Sequence, residues 1–397
     1  MRHALAPSRG ARFPTVAPLS GASPEGLVAL LAEHYVPVAR PVCVDLCIAD
    51  RPAARWRFTL SDTIGCTHPD ASGDAPAARI TMTSAALDSM LANPTRFDPR
   101  SAEIAALGGV RMGGSPRLAA YWLQLLKRPT SEGVAALERA RARTLPSLHG
   151  VSSVNARETR EWPQRIVASI LAGLPLRVRA ALDWPEVNWT LAQWRERDGA
   201  VVLRDDPRTG RAQTLRDFMT ALGETGAATS VEATYTGGSP TPRAWDARFR
   251  VPRLPATLFG PAQLWFGQHG EDTLVTHLHC DLENSFLAQV HGGKRVRLFA
   301  PHEEHNVYAL DAFNTYRPCR VDAGAPDLSR FPRFAKARFV EVVIEPGDLL
   351  VIPTGWFHCV WAKGATLSIS RFAGDAAIES HAHTVGLPHP SAVAVTA

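Results

Sequence analysis

The chain has 397 residues, more than a single compact core usually contains, and this length predicts two domains. Its 45% hydrophobic and 20% charged residues are typical of a globular protein and exclude a disordered chain. The formal net charge of +5 raises the question of nucleic-acid binding. The basic residues, however, are spread along the chain and only four are lysines, a bias that a GC-rich genome explains. The composition therefore disfavours a nucleic-acid partner.

Targeting and redox signals favour a cytoplasmic protein. No apolar run approaches the roughly 18 to 20 residues that a membrane-spanning helix needs. Residues 1–22 lack the apolar segment of a secretory signal, and we expect them to form a flexible leader. The six cysteines show neither a paired CxxC spacing nor a disulfide framework. These features predict a reducing, cytoplasmic environment and no membrane span.

The N-terminal part alternates strand-like and helix-like patterns. PEGLVALLAEHY has the apolar period of a helix, whereas PVCVDLCIAD and ARWRFTLSD show the period of two that is typical of strands. AARITMTSAALDSMLANP begins as a strand and becomes helical after Thr83, and GGVRMGGSPRLAAYWLQLLKRP predicts a short strand, a glycine-rich turn and an amphipathic helix. Strands and helices in this order predict a small α+β domain over residues 23–130.

This region also shows a family resemblance. The segment RITMTSAALDSMLANPTRFDPRSAEIAALGGVRMGGSPRLAAYWLQLL resembles the second half of sterol-carrier-protein-2-like (SCP2-like) domains, and the match extends over roughly residues 25 to 130. Because that family encloses an apolar tunnel, the resemblance implies a lipid or another hydrophobic ligand in this domain. The alternative is an accessory or dimerisation module whose interior is filled by its own side chains.

The remaining chain changes from helices to short strands. Residues 131–160 predict a charged linker helix and a linker, and the next hundred residues predict helices with a strand between them. From Gln263 onward, turns separate the strand-like runs AQLWFG, DTLVTHLH, SFLAQVHG, KRVRLFAP, RFVEVVIEPGD, LLVIPTG, WFHCVWA and TLSISRFA. Short strands at this spacing predict a β-barrel or sandwich.

Three polar residues alternate along one of these strands. His277, His279 and Asp281 occupy every second position, and alternate residues of a strand point to the same face. Two histidines and one carboxylate on a common ion suit Fe(II) and leave coordination positions open. The second histidine can be His358, because the hairpin EPGDLLVIPTGWFH would return it to the mouth of a barrel. Taken alone, the H-x-D pair is equally compatible with an ordinary surface strand.

The complete arrangement is more specific than its parts. The stretches THLHCDLENSFLAQVHGGKRVRLFAP and EPGDLLVIPTGWFHCV resemble the motifs of JmjC-type, cupin-like Fe(II)/2-oxoglutarate hydroxylases, especially the asparaginyl-hydroxylase-like branch. The resemblance covers about Asn155 to Ala373. It implies an all-β double-stranded β-helix (cupin or jelly-roll) catalytic domain with flanking helices over residues 161–375, followed by a C-terminal tail over 376–397.

The resemblance assigns the metal ligands. It makes His279, Asp281 and His358 the catalytic iron ligands. His277 competes for the first position, but the motif places the ligand two residues before the aspartate. His277 is therefore expected at the mouth of the site or on the surface.

The resemblance also assigns residues to 2-oxoglutarate. Lys294 aligns with the lysine that binds the distal carboxylate of the co-substrate, and a lysine buried in a barrel needs an anionic partner. Thr276 matches the hydroxyl that shares this carboxylate. Tyr235 is expected to supply a second hydroxyl, with an ordinary core or surface tyrosine as the alternative.

Two positions depart from the family pattern. Ser285 stands where the family usually has Asn, although Asn284 lies one place earlier. Arg371 replaces an Asn at the end of the last strand, thirteen residues after His358. We consider three roles for Arg371: a second co-substrate anchor, an anchor for an acidic substrate, or a structural salt bridge.

The resemblance therefore implies an oxygenase that uses Fe(II) and 2-oxoglutarate to hydroxylate an amino-acid side chain in a peptide, a protein or a small molecule. A competing enzyme class is a metal-dependent cupin isomerase or hydrolase without 2-oxoglutarate, against which Lys294 argues. Two further functions compete: a binding protein that retained the barrel without turnover, and a lipid carrier that acts through its N-terminal domain. The sequence leaves the oligomeric state open.

Overall fold

The computed structural model divides into two compact units, Met1–Arg128 and Pro129–Ala397, and each unit has its own sheet. The predicted leader and the last ten residues of the predicted tail lie outside the described residues. The structure describes residues 23–38, 40–69, 75–143, 145, 149–205, 212–224 and 235–387.

The first unit is a single sheet with helices. Its strands are β1 (Val42–Ile48), β2 (Arg55–Leu60), β3 (Ile64–Thr67), β4 (Ala78–Met82) and β5 (Val110–Gly114). Its helices within the described residues are α1 (Pro24–Ala32), α2 (Ser84–Ala92), α3 (Ala102–Ala106) and α4 (Pro116–Gln124). The strand order is β3-β2-β1-β4-β5, and β1 and β4 form the parallel pair in an otherwise antiparallel sheet.

The apolar face of this sheet is filled by side chains. Leu46 of β1 and Phe58 of β2 are fully buried, and the ring of Trp122 in α4 meets Phe58 edge-on at a centroid distance of 5.1 Å. This packing favours a filled interior over an apolar tunnel. The predicted change from strand to helix after Thr83 is confirmed, because the Thr83 hydroxyl caps α2 by accepting a hydrogen bond from the Ala86 amide.

The second unit contains the longer sheet strands. Its helices within the described residues are α5 (Ser131–Ala142), α6 (Trp162–Leu171), α7 (Leu191–Arg197), α8 (Leu215–Glu224), α9 (Arg243–Asp246) and α10 (Asp375–Thr384). Its first strands are β6 (Ser152–Asn155), β7 (Leu176–Arg179), β8 (Val202–Asp205), β9 (Ala212–Thr214) and β10 (Ser239–Pro240). The later strands are β11 (Gln263–Asp281), β12 (Asn284–His291), β13 (Lys294–Phe299), β14 (Tyr316–Pro318), β15 (Phe339–Ile344), β16 (Leu349–Ile352) and β17 (Phe357–Ala373).

The long strands β11 and β17 are shared by two sheets. The first half of β11 and the second half of β17 belong to a sheet with the order β10-β11-β17-β12-β16-β7-β6. The other halves belong to a sheet with the order β14-β11-β17-β13-β15. Two mostly antiparallel sheets joined in this way form a double-stranded β-helix. The predicted fold class, an α+β N-terminal part followed by a jelly-roll with flanking helices, is confirmed.

Strand alternation separates two apolar cores in this unit. Phe286 of β12 and Val351 of β16 pack with the helices outside the sheet, for example with Ile166 of α6. Their neighbours Leu287 and Ile352 pack with residues of β13, β15 and β17 in the space between the two sheets. The interior of the barrel is therefore largely apolar.

Three details differ from the sequence prediction. AQLWFG and DTLVTHLH form one strand, β11, and WFHCVWA and TLSISRFA form one strand, β17. The turn-like residues between them, such as Asp272 (φ 45°) and Gly364 (φ 65°), lie at irregularities that let each strand pass from one sheet to the other without ending. The predicted linker region contains β6, which joins the sheet beside β7, and the predicted tail begins with α10.

The structure also bears on a membrane association. No helix among the described residues is long and apolar enough to cross a bilayer.

Candidate metal centre

The three predicted metal ligands converge where β11 ends and β17 begins. His279 and Asp281 are on β11, and His358 lies directly opposite His279 on β17. One nitrogen or oxygen atom from each of these three side chains lies within 4.8 Å of the others. The antiparallel register therefore assembles the site from segments that are distant in sequence.

Backbone carbonyls orient both imidazole rings. Nδ1 of His279 donates a hydrogen bond to the His277 carbonyl (2.8 Å), and Nδ1 of His358 donates to the Trp356 carbonyl (3.1 Å). Because a carbonyl only accepts, each Nδ1 carries the proton and a neutral ring presents its electron pair at Nε2. His277 itself is exposed and contributes to the site through its main chain.

The distances between the ligand atoms fit a shared cation. Nε2 of His279 is 3.6 Å from one oxygen of Asp281, and Nε2 of His358 is 3.7 Å from the other. These separations are too long for good hydrogen bonds. Two atoms that both bind one ion at about 2.0–2.2 Å are separated by about 3–4 Å. Two neutral nitrogens and one carboxylate form the donor set that suits non-haem Fe(II).

Burial and mutual charge set the protonation of these groups. Burial opposes the protonation of His279, but the neighbouring Asp281 carboxylate more than offsets this effect and raises the pKa of His279. Burial and then the charge of His279 lower the pKa of His358 to about 4. Burial also opposes the ionisation of Asp281, yet the two imidazoles hold its pKa below the usual value. His358 and Asp281 are therefore in their metal-binding forms at neutral pH.

A buried polar network holds the two ligand-bearing segments together. The Asn284 side chain is fully buried, accepts a hydrogen bond from the Thr354 amide (3.1 Å) and donates one to Asp375 (2.9 Å). The next amide, that of Gly355, donates to the carbonyl of Asp281 (3.0 Å). The turn before His358 is thus fastened to the end of β11. The sequence pointed to Asn284 only as a displaced family residue and did not predict this role.

The residues predicted to bind 2-oxoglutarate form a second cluster in the barrel. Lys294 is 3% exposed, and its ammonium donates to the hydroxyl of Tyr235 at 3.2 Å. Burial raises the pKa of Tyr235, and an interaction with Thr276 offsets part of this rise. The structure therefore brings Lys294, Tyr235 and Thr276 together. Tyr235 is the only hydrogen-bond partner of the Lys294 ammonium within the described part of the chain, and burial lowers the pKa of Lys294 to about 7.

His269 belongs to the same cluster and was missed in the sequence. Its ring packs edge-on against Tyr235 at a centroid distance of 5.0 Å. Its Nε2 is buried without a hydrogen-bond partner among the described residues. Burial, and secondarily the charge of Lys294, lower the pKa of His269 to about 4, so the ring is neutral at pH 7. No local pattern marked this residue, because it lies at a β11 irregularity that resembled a turn.

Arg371 lies at the opposite end of β17 from His358. Thirteen residues of strand correspond to a contour of about 40 Å. The Arg371 guanidinium donates to the carbonyls of Phe249 (3.0 Å) and Asp246 (2.6 Å) and to the Asp246 carboxylate (2.8 Å). Of the three roles considered for Arg371, these contacts favour the structural salt bridge.

The cysteines beside the ligands face away from the site, as strand alternation predicted. Cys280 and Cys359 are fully buried and pack with Phe357 in a separate apolar cluster. Trp356 is also buried, and its indole N–H donates to the Gly173 carbonyl at 2.8 Å. Cys280, Cys359 and Phe357 pack behind the site, whereas Trp356 belongs to the apolar cluster between the two sheets.

Comparison with known proteins agrees with this architecture. Residues 195–373 match the family model for a cupin-like domain. A 106-residue stretch is 34% identical to Jumonji C domain-containing protein 5 of Drosophila melanogaster, covering 27% of this chain and 26% of that protein. Residues 195–373 thus have the sequence pattern of a cupin-like domain, and part of the chain is similar to a protein named for its Jumonji C (JmjC) domain.

Other relatives match stretches of the chain of similar length. Lysine-specific demethylase 8 of Xenopus tropicalis is 36% identical over 106 residues, which are 27% of this chain and 23% of that protein. tRNA wybutosine-synthesizing protein 5 of Danio rerio is 42% identical over 94 residues, which are 24% of this chain and 28% of that protein. The chain thus spans about a quarter of the length of the curated relatives it matches.

Proposed function

We propose that the cupin-like region is a JmjC domain and an Fe(II)- and 2-oxoglutarate-dependent oxygenase that hydroxylates an unactivated C–H bond of an amino-acid side chain. The metal cluster alone also fits a cupin that does not use 2-oxoglutarate. The observation that carries the proposal is Lys294, a buried cation that pairs with no carboxylate of the described residues. An unpaired buried charge destabilises the folded protein, and a bound anion would offset this cost for Lys294.

The position of Lys294 suits a small dicarboxylate. Leu298 lies opposite His358 across β13 and β17, and Lys294 is four residues from Leu298 on β13. This separation is about 13 Å of strand, which the lysine side chain and a five-carbon diacid can span together. Tyr235 hydrogen-bonds Lys294, and Thr276 interacts with Tyr235, so both would share the distal carboxylate.

We include His269 as a further donor to the same carboxylate. Its buried Nε2 has no partner among the described residues, and a buried polar atom without a partner costs about 1–3 kcal/mol. A neutral ring with the proton on Nε2 would donate to an anion beside Lys294. The pocket would then offer the carboxylate one positive charge, that of Lys294, and several neutral hydrogen-bond donors.

His279, Asp281 and His358 would hold the iron. Bound Fe(II) supplies the redox chemistry that couples decarboxylation of 2-oxoglutarate to oxidation of a C–H bond. The chain contributes the fixed orientation of the two imidazoles through their Nδ1 hydrogen bonds. The apolar packing of the barrel interior limits the entry of water beside the site.

The proposal also includes the class of substrate on which the enzyme acts. The names of the relatives include a lysine-specific demethylase and a tRNA wybutosine-synthesizing protein, so the domain occurs in proteins with different substrates. We favour a peptide, a protein or an amino-acid-derived molecule. Mass spectrometry of candidate substrates separates the outcomes, because hydroxylation adds one oxygen atom whereas demethylation removes one CH2 group.

The N-terminal unit and the cellular location are also part of the proposal. The first unit resembles SCP2-like domains in sequence, and we propose an accessory role for it in recruiting substrate. Residues such as Phe58 and Trp122 fill its interior, which favours this role over a lipid-binding tunnel. The six cysteines are free, which suits a reducing cytoplasm in which Fe(II) persists.

The deciding experiment is an anaerobic titration of the Fe(II)-loaded protein with 2-oxoglutarate, followed by the visible charge-transfer absorption of the chelate. We expect the band in the wild type and a much weaker band in Lys294→Ala. Arg371→Ala serves as the matched control and should retain the band if the protein remains folded. Absence of the band in iron-loaded wild type would remove 2-oxoglutarate from the function and leave the metal-binding cupin.

A further inference from the structure

A second concave site lies away from the metal cluster. A cavity of about 450 Å³ opens where β10 and the residues before β11 meet α9. Val251 and Phe259 form part of its apolar wall, and Arg243, Arg250 and Arg371 also line it. Its volume is within the range of small-molecule sites.

Two arginines of this region, Arg248 and Arg371, are engaged in ion pairs and hydrogen bonds within the protein. Arg371 donates to backbone carbonyls and to Asp246, so it shapes the wall of the cavity. Arg248 lies in the same segment but forms ion pairs with Glu186 and Asp198. The charges of both residues are therefore neutralised within the protein.

Arg243 and Arg250 differ from these two residues. Both are exposed, and neither guanidinium forms an ion pair or a hydrogen bond with any residue that the structure describes. Both residues line the same cavity of about 450 Å³, so their side chains border one concave surface. Asp246 also lines the cavity, but its carboxylate is paired with Arg371, so the positive charges of Arg243 and Arg250 are not balanced within the cavity.

We propose that this cavity binds a small organic anion, a carboxylate or phosphate monoester that carries an apolar group. Guanidinium groups bind both kinds of oxyanion through paired N–H donors. The anionic end would contact Arg243 and Arg250, and the apolar group would contact Val251 and Phe259. Because Arg371 and His358 lie at opposite ends of β17, this site is distinct from the metal cluster and does not depend on the proposed oxygenase activity.

The test titrates the full-length Lys294→Met protein calorimetrically with phenyl phosphate and, separately, with phenylacetate. This background removes the cation of the barrel cluster, so anion binding there does not contribute. We expect saturable binding with one site per chain, weakened about tenfold or more by Arg243→Gln and likewise by Arg250→Gln. Binding of phenyl phosphate alone would assign a phosphate ligand, whereas comparable binding of both probes would assign any oxyanion.

The control replaces an exposed arginine elsewhere. Arg338 is exposed and does not line the cavity, so Arg338→Gln should leave the affinity unchanged. The Arg243 and Arg250 variants should fold normally, because these side chains make no hydrogen bond within the described residues. The inference is wrong if neither probe binds saturably at millimolar concentration, or if the double variant Arg243→Gln/Arg250→Gln binds like the wild type.

Discussion

His279 and His358 are directly paired across the antiparallel strands β11 and β17, and their ring centroids are 4.3 Å apart. The two residues are nearly 80 positions apart in the sequence, so strand register alone makes them neighbours. Asp281 lies two residues beyond His279 on the same face and completes the cluster. A register shift by one residue would turn one imidazole to the opposite face and destroy the site.

Removal of one ligand should abolish high-affinity metal binding. We expect His358→Ala to raise the dissociation constant for Fe(II) by more than about 100-fold, because even groups that only orient a ligand affect affinity by 10- to 100-fold. Anaerobic titration with Fe(II) measures the effect. His277→Ala is the matched control, since His277 orients His279 through its carbonyl, and an equal loss in this variant would contradict the assigned ligand set.

Replacement of Lys294 should stabilise the protein. Its pKa is about 7 in the folded state against an ordinary value of 10.5, so the unfolded chain binds more protons between these pH values. The buried ammonium of Lys294 therefore lowers the free energy of unfolding by its full amount below about pH 7. This cost decreases by up to about 1.4 kcal/mol per pH unit as the pH rises toward 10.5. We expect Lys294→Met to unfold at higher urea concentration at neutral pH. This advantage should shrink with increasing pH, and a pH-independent difference would contradict burial of the ammonium as its cause.

Binding of 2-oxoglutarate should take up a proton above neutral pH. Lys294 is largely neutral above pH 7, and a carboxylate beside it would raise its pKa and restore its charge. The affinity should therefore fall with rising pH by up to about tenfold per unit. Calorimetry in buffers with different ionisation enthalpies measures the uptake. Lys294→Met should show none, and an equal uptake in that variant would assign the proton to another group.

His269 should matter for co-substrate binding and not for stability. His269→Phe retains an aromatic ring against Tyr235 and removes the buried Nε2 that has no partner within the described residues. We expect an unchanged or higher free energy of unfolding and an affinity for 2-oxoglutarate that is weaker by about tenfold. His269→Gln retains a hydrogen-bond donor and should weaken the affinity for 2-oxoglutarate less than His269→Phe does. Equal affinity of wild type and His269→Phe would exclude His269 from the pocket.

Arg371 should matter for stability and not for co-substrate binding. Arg371→Met leaves the carbonyls of Phe249 and Asp246 without their donor, at a cost of about 2–4 kcal/mol in the free energy of unfolding. Urea denaturation measures this loss. The dissociation constant for 2-oxoglutarate should stay within about twofold, below the roughly 1 kcal/mol expected for a lost hydrogen bond. A large change in this constant with the fold intact would restore the co-substrate role considered from the sequence.

The limits of the sequence prediction have identifiable physical causes. Turn-like residues such as Asp272 and Gly364 suggested strand ends, whereas the structure accommodates them as irregularities within β11 and β17. Asn284 and His269 could not be assigned, because their partners belong to segments that are far away in sequence. Arg371 allowed three roles from sequence, and only the carbonyls around it distinguish them.

The sequence by itself predicted the short strands of a barrel or sandwich, and the resemblance of its motifs to JmjC-type hydroxylases assigned the candidate ligands. Period-two apolarity, turn residues and the H-x-D spacing are local properties that do not require knowledge of the partner strand. Tertiary structure alone decided that His279 faces His358, that Lys294 is buried beside Tyr235 and His269, and that Arg371 is engaged by the fold. These relations depend on strand register and burial, which arise only when distant segments pack together.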